Sequence, residues 1–322
     1  MPDVVRAAGI DCGTNSIRLL IADIDPAASR LYEIRRLMEI VRLGEGVDRT
    51  GQFSAAALDR TLEAVRRYGQ LCRQENVQAL RFVATSATRD AANRAIFLAG
   101  VRHELGVEAE VIDGLEEAHL SFAGAVSALR PAVRGAFLVV DLGGGSTELV
   151  AGEDTAESAF SMDVGCVRIT ERHLRSDPPT PAEVRAAAAD VDGVLDRAGR
   201  HVDLGAAATL VGVAGSITTI TAHALGLERY DPAKIDGAVL PVEVLLRSCR
   251  ELWEASQAAR ARLGVVHPGR VDVIGAGALV WSRVLLRVRS AAEAAGRSLD
   301  QVVTSEHDIL DGIALSAAGL SL

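Results

Sequence analysis

A chain of 322 residues, 49% hydrophobic and 24% charged, has the composition of ordinary globular protein, about two domains' worth at roughly 150 residues each, and is excluded from the disordered and fibrous classes. A formal net charge of −9 argues against broad, sequence-independent nucleic-acid binding, which needs a basic face, although screening leaves room for a local cluster of opposite sign inside a cleft. Aromatic residues are only 3%, which makes the core aliphatic, and Lys234 is the only lysine, so an anion site must be built from arginine forks, backbone N–H groups or a metal ion.

In chain order, an apolar run over 6–10 leads into Asp11-Cys12-Gly13-Thr14-Asn15-Ser16, and a strand-like run resumes over 17–21, which reads as strand, tight turn, strand. Helical spacing of Leu58, Leu62, Val65 and Leu71 predicts a helix over 54–72 with Ser54 as N-cap. A strand over 81–84, a helix over 90–105, a strand over 108–112 and a helix over 116–129 follow, an alternation that means an α/β domain. A short hinge is expected near Arg130-Pro131. After it the first pattern recurs: an apolar run over 136–140, then Asp141-Leu142-Gly143-Gly144-Gly145-Ser146-Thr147-Glu148, then a strand-like 149–151. Two copies of one unit, with Asp11 and Asp141 130 positions apart, indicate two domains of similar build. Thr180-Pro181-Ala182-Glu183 combines N-cap, first-turn proline and capping-box glutamate, so a helix runs from there to about residue 200. A strand over 209–213, a glycine turn at Ala214-Gly215-Ser216, a helix from about Ile217 and a closing helix over 306–320 complete the reading. The expected division is 1–130, 131–305 and a terminal helix over 306–322 that packs back on the first domain.

Glycines in such turns permit positive φ and remove Cβ atoms, so successive N–H groups can converge on phosphate oxygens. Ser146 and Thr147 add hydroxyls, and the flanking carboxylates Asp141 and Glu148 suit Mg²⁺, which keeps several waters. A tight hairpin whose glycines serve geometry alone is the alternative for one loop; two matched loops weaken it. No G-x-x-x-x-G-K-[ST] nucleotide loop is present, and Gly275-Ala276-Gly277-Ala278 lacks the third glycine of a dinucleotide fingerprint, which assigns it to backbone packing. Cys12, Cys72, Cys166 and Cys249 lie far apart without zinc spacing, so they are read as reduced thiols. The seven histidines form no ligand pair. With neither a leader pattern nor an 18-residue apolar window, the expected location is the cytoplasm.

Gly9-Ile10-Asp11-Cys12-Gly13-Thr14-Asn15-Ser16 and Val140-Asp141-Leu142-Gly143-Gly144-Gly145-Ser146-Thr147-Glu148 resemble the two phosphate loops of the exopolyphosphatase and guanosine pentaphosphate phosphohydrolase family. Arg42-Leu43-Gly44-Glu45-Gly46, Ala84-Thr85-Ser86-Ala87-Thr88-Arg89, Gly114-Leu115-Glu116-Glu117-Ala118, Gly165-Cys166-Val167-Arg168 and Gly212-Val213-Ala214-Gly215-Ser216 resemble further family segments, in family order. The resemblance implies an α/β fold of two ribonuclease-H-like domains, as in actin-like and sugar-kinase-like ATPases, with phosphates bound in an inter-domain cleft. Longer family members continue into a helical domain similar to the His-Asp phosphohydrolases; His307-Asp308 is not that motif, so this chain resembles the short form.

The same resemblance marks Glu117 as the general base and Arg89 as a phosphate-contacting arginine. Glu116 is read as a solvated neighbour, and complementing a helix N-terminus is the plain alternative for both glutamates. Asp141 and Glu148, with Asp11 as helper, are assigned to Mg²⁺. Gly143, Gly144, Gly145 and Ser146 are expected to offer groups to the terminal phosphate, Thr14, Asn15 and Ser16 to do so from the first loop, and Gly215 and Ser216 to add weaker contacts. Arg168 is weaker still, and Cys166 is read as a buried inert thiol. The expected function is Mg²⁺-dependent removal of terminal orthophosphate from inorganic polyphosphate by direct attack of water. Guanosine pentaphosphate is an alternative substrate with the same chemistry, a nucleotide-gated actin-like interaction protein is an alternative of another class, and a small-molecule kinase is a fourth. A homodimer is expected by analogy; no nucleic-acid or membrane partner is.

Overall fold

The computed structural model describes residues 4–26, 28, 30–129 and 135–320; the hinge expected near Arg130-Pro131 lies outside them. The chain folds as two compact units, Met1–Ser127 with Asp308–Leu322, and Ala128–His307.

The first unit contains β1 (Val5–Cys12), β2 (Ser16–Asp25), β3 (Arg30–Ile40), α1 (Val47–Thr50), α2 (Ala55–Gln74), β4 (Ala79–Ala84), α3 (Ser86–Asp90), α4 (Arg94–Leu105), β5 (Ala109–Val111) and α5 (Gly114–Leu129). The second contains β6 (Phe137–Leu142), β7 (Thr147–Gly152), β8 (Ala156–Met162), α6 (Cys166–His173), α7 (Pro181–Ala198), β9 (Thr209–Val213), α8 (Ala214–Ala224), α9 (Pro232–Ile235), β10 (Val239–Pro241), α10 (Val242–Glu254), α11 (Gln257–Arg260), α12 (Ile274–Ala294) and β11 (Gln301–Thr304). Then α13 (Ile309–Ala317) rejoins the first unit.

The first sheet has the order β3-β2-β1-β4-β5, and the second β10-β11-β9-β6-β7-β8. In the first, β1 is antiparallel to β2 and parallel to β4; in the second, β6 is antiparallel to β7 and parallel to β9. Apart from β10, the second sheet therefore repeats the first: the repeated glycine hairpin implies two units of similar build, and the shared order is the ribonuclease-H-like one that the family resemblance implies.

Alternation along β1 sorts its residues between two layers. Ala8, Ile10 and Cys12 enter the core formed with α2 and α4, which holds Tyr68, Phe82 and Phe97. Ala7 faces the opposite side, where Leu310, Ala314 and Leu315 of α13 cover it. Asp11 has the parity of Ala7 and so lies on the α13 face. The second core surrounds the fully buried Trp281 of α12 with Leu138, Val140, Leu149 and Ile217 among its members.

Several boundaries differ from the sequence reading. Both hairpins are tighter than expected: Asp11, Cys12, Ser16, Asp141, Leu142, Thr147 and Glu148 are strand residues. The helix read over 90–105 is interrupted, with α3 before it and α4 beginning at Arg94. Gly215 and Ser216 lie inside the first turn of α8 and not in a turn ahead of it. The long edge strand β3 escaped the reading because only one side of it is covered and its sequence is dominated by charge, with Arg30, Glu33, Arg35, Arg36 and Glu39.

Candidate active site

The two hairpins close in the same way. Gly13 N donates to Ser16 O at 3.0 Å, and Gly143 N donates to Ser146 O at 3.0 Å. Each loop is then held from outside by a segment the sequence reading had flagged. Asn15 O accepts from Val41 N at 3.1 Å and Arg42 N at 2.9 Å, while Thr14 O accepts from Gly44 N at 2.8 Å. A side chain at Gly44 is forbidden, since its Cβ would stand 2.4 Å from Thr14 Cγ2. In the second unit Cys166 N donates to Gly143 O at 3.0 Å, and Val167 N and Arg168 N donate to Gly144 O at 2.9 and 3.2 Å. Arg168 Nε donates to Gly145 O at 2.8 Å, so this arginine supports the loop's carbonyl side. Gly165 has no room for a side chain: a Cβ there would meet Gly144 O at 2.4 Å. With carbonyls drawn back onto α6, the polar resource the second loop offers to a ligand is its N–H groups.

In the first unit, the ends of β1, β4 and the helix starts of α3 and α5 gather the chemistry-bearing side chains. Asp113 caps α5, its Oδ1 accepting from Leu115 N at 3.0 Å and Glu116 N at 2.8 Å. One turn in, Glu117 is buried, with 8% exposure. Arg89 Nη1 donates to Glu117 Oε2 at 2.7 Å and to Ile112 O at 3.0 Å. Burial pushes the Glu117 carboxyl up to about 7, against the lowering effects of the Arg89 guanidinium and a Thr85 hydrogen bond; the nearby Asp11 raises it further. A buried carboxyl held near neutrality beside one cation is suited to exchanging a proton with water. Glu116, by contrast, points away and pairs with Arg81 at 2.5 Å. Thr14 Oγ1 and Ser86 Oγ share a buried hydrogen bond of 2.9 Å, which ties the first loop to α3.

Asp11 was expected to help hold metal. Its Oδ2 accepts from Arg18, whose Nε and Nη2 donate at 2.9 and 2.7 Å, and Arg18 Nη1 also donates to Asp308 Oδ2. Among the described residues no group of three or more His, Cys, Asp or Glu is gathered to hold a metal ion. The pair at the matching place in the second hairpin differs in sign. Asp141 and Glu148 are Cα partners across β6 and β7, so their side chains share one face, and both are buried. Glu148 Oε1 accepts from Ser161 Oγ at 2.6 Å. Two adjacent buried carboxylates form a hard-oxygen donor set that fits Mg²⁺ with water completing its shell.

Gly215 and Ser216 sit at the start of α8. The Arg270 guanidinium covers Gly215 so closely that a Cβ would fall 1.7 Å from Nη1. Ser216 is 3% exposed and packs against Gly277 of α12, where a Cβ would meet Ser216 Oγ at 2.8 Å and Cys166 Cβ at 3.3 Å. The Gly275–Ala278 stretch is thus close-packed helix interior, in keeping with the packing role read from sequence. Cys166 is buried and its thiol is raised by burial. Sequence reading missed Arg18, Thr85, Arg270 and Asp308. Arg18 had a signal: it stands seven residues after Asp11, as Glu148 does after Asp141, so superposing the two loops would have exposed it.

No described helix is long and apolar enough to cross a membrane. A model of the Ppx/GppA phosphatase family matches residues 20–296. The chain is 49% identical over 324 residues to Exopolyphosphatase 2 of Mycobacterium tuberculosis (strain ATCC 25618 / H37Rv), an alignment that covers 98% of this chain and 99% of that protein. A crystal structure of an exopolyphosphatase-like protein superposes with a TM-score of 0.94 at 48% identity, covering 98% of both chains. The Aquifex aeolicus member of the Ppx/GppA family superposes with a TM-score of 0.80 at 30% identity, again over 98% of both. Duplicated sheet, paired glycine hairpins and end-to-end similarity agree, and the chain belongs to the Ppx/GppA phosphatase family.

Proposed function

We propose that the protein is an exopolyphosphatase, which removes orthophosphate from the end of inorganic polyphosphate by direct attack of water. The observation that carries the mechanism is Glu117, buried against Arg89 and raised to about 7 by that burial. Phosphoanhydride hydrolysis asks for an oriented water, a proton acceptor and positive potential on the transferring group. Glu117 takes the water's proton. Arg89, through its bond to Oε2, fixes the carboxylate and favours its ionised form.

N–H groups of Gly143, Gly144 and Gly145 and the Ser146 hydroxyl bind phosphate oxygens, and Thr14, Asn15 and Ser16 do so from the first hairpin. Gly215 contributes backbone beneath the Arg270 guanidinium; Ser216, packed under Gly277, supports the start of α8. Mg²⁺ would be held by Asp141 and Glu148 and would supply positive charge to the phosphate oxygens. Asp11, its Oδ2 held by Arg18, would be the helper to that set from the first hairpin. The four described cysteines are all free and buried, which supports a reducing, cytoplasmic setting. A homodimer belongs to the proposal by analogy, and sedimentation of the purified chain checks it.

A time course on polyphosphates of defined length tests the reading: orthophosphate released with stepwise shortening supports it, mid-chain fragments overturn it, and guanosine pentaphosphate as a parallel substrate reveals whether the same site prefers a nucleotide. Glu117→Gln is expected to lower kcat/KM by about 10²- to 10⁴-fold.

A further inference from the structure

Two helices of the second unit carry the same spacing of mixed residues. In α10, Glu243, Leu246, Arg247, Arg250 and Trp253 follow one another at intervals of three and four. Leu279, Ser282, Arg283, Leu286 and Arg289 repeat those intervals in α12, so each set forms a stripe along its helix. The two helices run antiparallel: Arg289 pairs with Glu243 at one end, and at the other a Cβ on Gly275 would lie 3.6 Å from Trp253 Cα. Helix α7 runs parallel to α12, since Asp192 and Asp196 pair in step with Arg283 and Arg287. With α12 between its two partners, the three helices bound a trench of about 590 Å³, a volume in the range of small-molecule sites. From Leu279 to Arg289 the trench follows α12 for about 15 Å.

Most of the lining is aliphatic. Val184 and Ala188 come from α7, Leu246 from α10, and Leu279 and Leu286 from α12, with Trp253 at the Gly275 end. Four arginines also line it, and two of these are neutralised. Arg283 Nε and Nη2 donate to the two carboxylate oxygens of Asp192, each at 2.7 Å, and Arg289 is held by Glu243. Arg247 and Arg250 are exposed on one face of α10 and have no carboxylate partner among the described residues. In a chain of net charge −9, two such guanidiniums beside an aliphatic trench complement an anion with an apolar body.

Hydrogen bonding decides what kind of body. Apart from the Trp253 indole, the one uncharged polar side chain among the described lining residues is Ser282, and its hydroxyl donates to Leu279 O at 2.7 Å. A nucleobase laid in the trench would leave its polar edge unmatched, which is costly. An alkyl chain needs no polar partner. We propose that the trench binds a free fatty acid, its chain lying over Leu246, Leu279 and Leu286 and its carboxylate held by the Arg247 and Arg250 guanidiniums, whose planar forks match that group. None of the residues assigned to hydrolysis lines this site, so the two readings stand or fall separately.

Calorimetric titration of the purified full chain with octanoate, decanoate and dodecanoate, each below its micelle-forming concentration, tests the proposal. One saturable site is expected, with each added pair of methylenes tightening binding about tenfold. Because Trp281 is fully buried in the core and Trp253 lines the trench, tryptophan emission should change in step with occupancy. Replacing both exposed arginines, Arg247→Ala with Arg250→Ala, is expected to weaken dodecanoate by about 10- to 100-fold at an unchanged melting temperature. Dodecanol, which has the chain without the charge, should bind the parent as weakly as dodecanoate binds that variant. Leu286→Glu puts a carboxylate in the trench and is expected to abolish binding, which gives a second readout should the double variant fail to fold. The proposal is overturned by the absence of a saturable site, by affinity independent of chain length, or by undiminished binding in these variants. Adenosine monophosphate binding as tightly as dodecanoate would overturn it too, as would a dimer of the parent chain that the double variant dissociates, since a second copy would then fill the trench.

Discussion

Glu117 and Arg89 show how much one buried contact decides. Burial alone favours the neutral carboxyl, and the guanidinium 2.7 Å away opposes it; the balance leaves the group near pH 7, where a base both exists in its ionised form and accepts protons readily. Because the base must be ionised, kcat/KM is expected to rise with pH through about 7 and level off above it. Arg89→Met removes the charge that lowers the carboxyl's pKa, so the acid limb should move to higher pH. A pH profile of the methionine variant checks the sign, and an unchanged limb would dissociate Arg89 from the base. In sequence, Glu117 is one of two adjacent glutamates at a helix start. The residue string does not say that Glu116 turns outward to Arg81 while Glu117 turns inward, because that depends on where β4 and α3 lie.

At the level of elements, the hairpins depend on what packs behind them. Their glycines and flanking apolar runs were legible, since a tight turn needs φ freedom and missing Cβ atoms at the turn itself. Their supports were legible only as resembling segments. Gly165 is the sharpest case, being the residue that lets α6 close on the Gly144 carbonyl. Gly165→Ala places a methyl group 2.4 Å from that oxygen, and the loop must shift. A destabilisation of about 1–3 kcal/mol is expected from such overpacking, together with a raised KM for polyphosphate as the loop's N–H groups lose alignment. Thermal melting and steady-state kinetics measure the two effects; an alanine variant with parental KM would show that the loop's exact placement is unimportant. The caps of α2 and α7 lie at the other extreme: Ser54 accepts from Ala57 N, and Thr180 with Glu183 forms a complete capping box, both as the local sequence implies.

For the whole molecule, the path of the chain matters as much as its parts. The first unit is completed by the last helix, whose Leu310, Ala314 and Leu315 cover Ala7, Leu20, Ala22 and Ile24 of its sheet. Deleting residues 308–322 would uncover that face and strip Arg18 and Arg36 of buried carboxylate partners. The truncated chain is expected to lose its cooperative unfolding transition, as read by circular dichroism and calorimetry, because unpaired buried charge and exposed apolar sheet both act against the fold. A cooperative transition at the parental temperature would show α13 to be dispensable.

What the sequence determined by itself is what short-range physics controls: alternating strands, helix caps, turns whose glycines announce themselves, an aliphatic core and a doubled hairpin. The alternation of strands and helices also carried the α/β build, and the resembling segments carried the family. Tertiary structure decided the electrostatics. Arg18 and Asp308 are 290 residues apart in the chain, and Arg89 and Glu117 are 28 apart, so neither pairing has a local signature. The state of a carboxyl is set by the water excluded from it and the charges brought to it, and both are supplied by elements that meet only after the chain has folded.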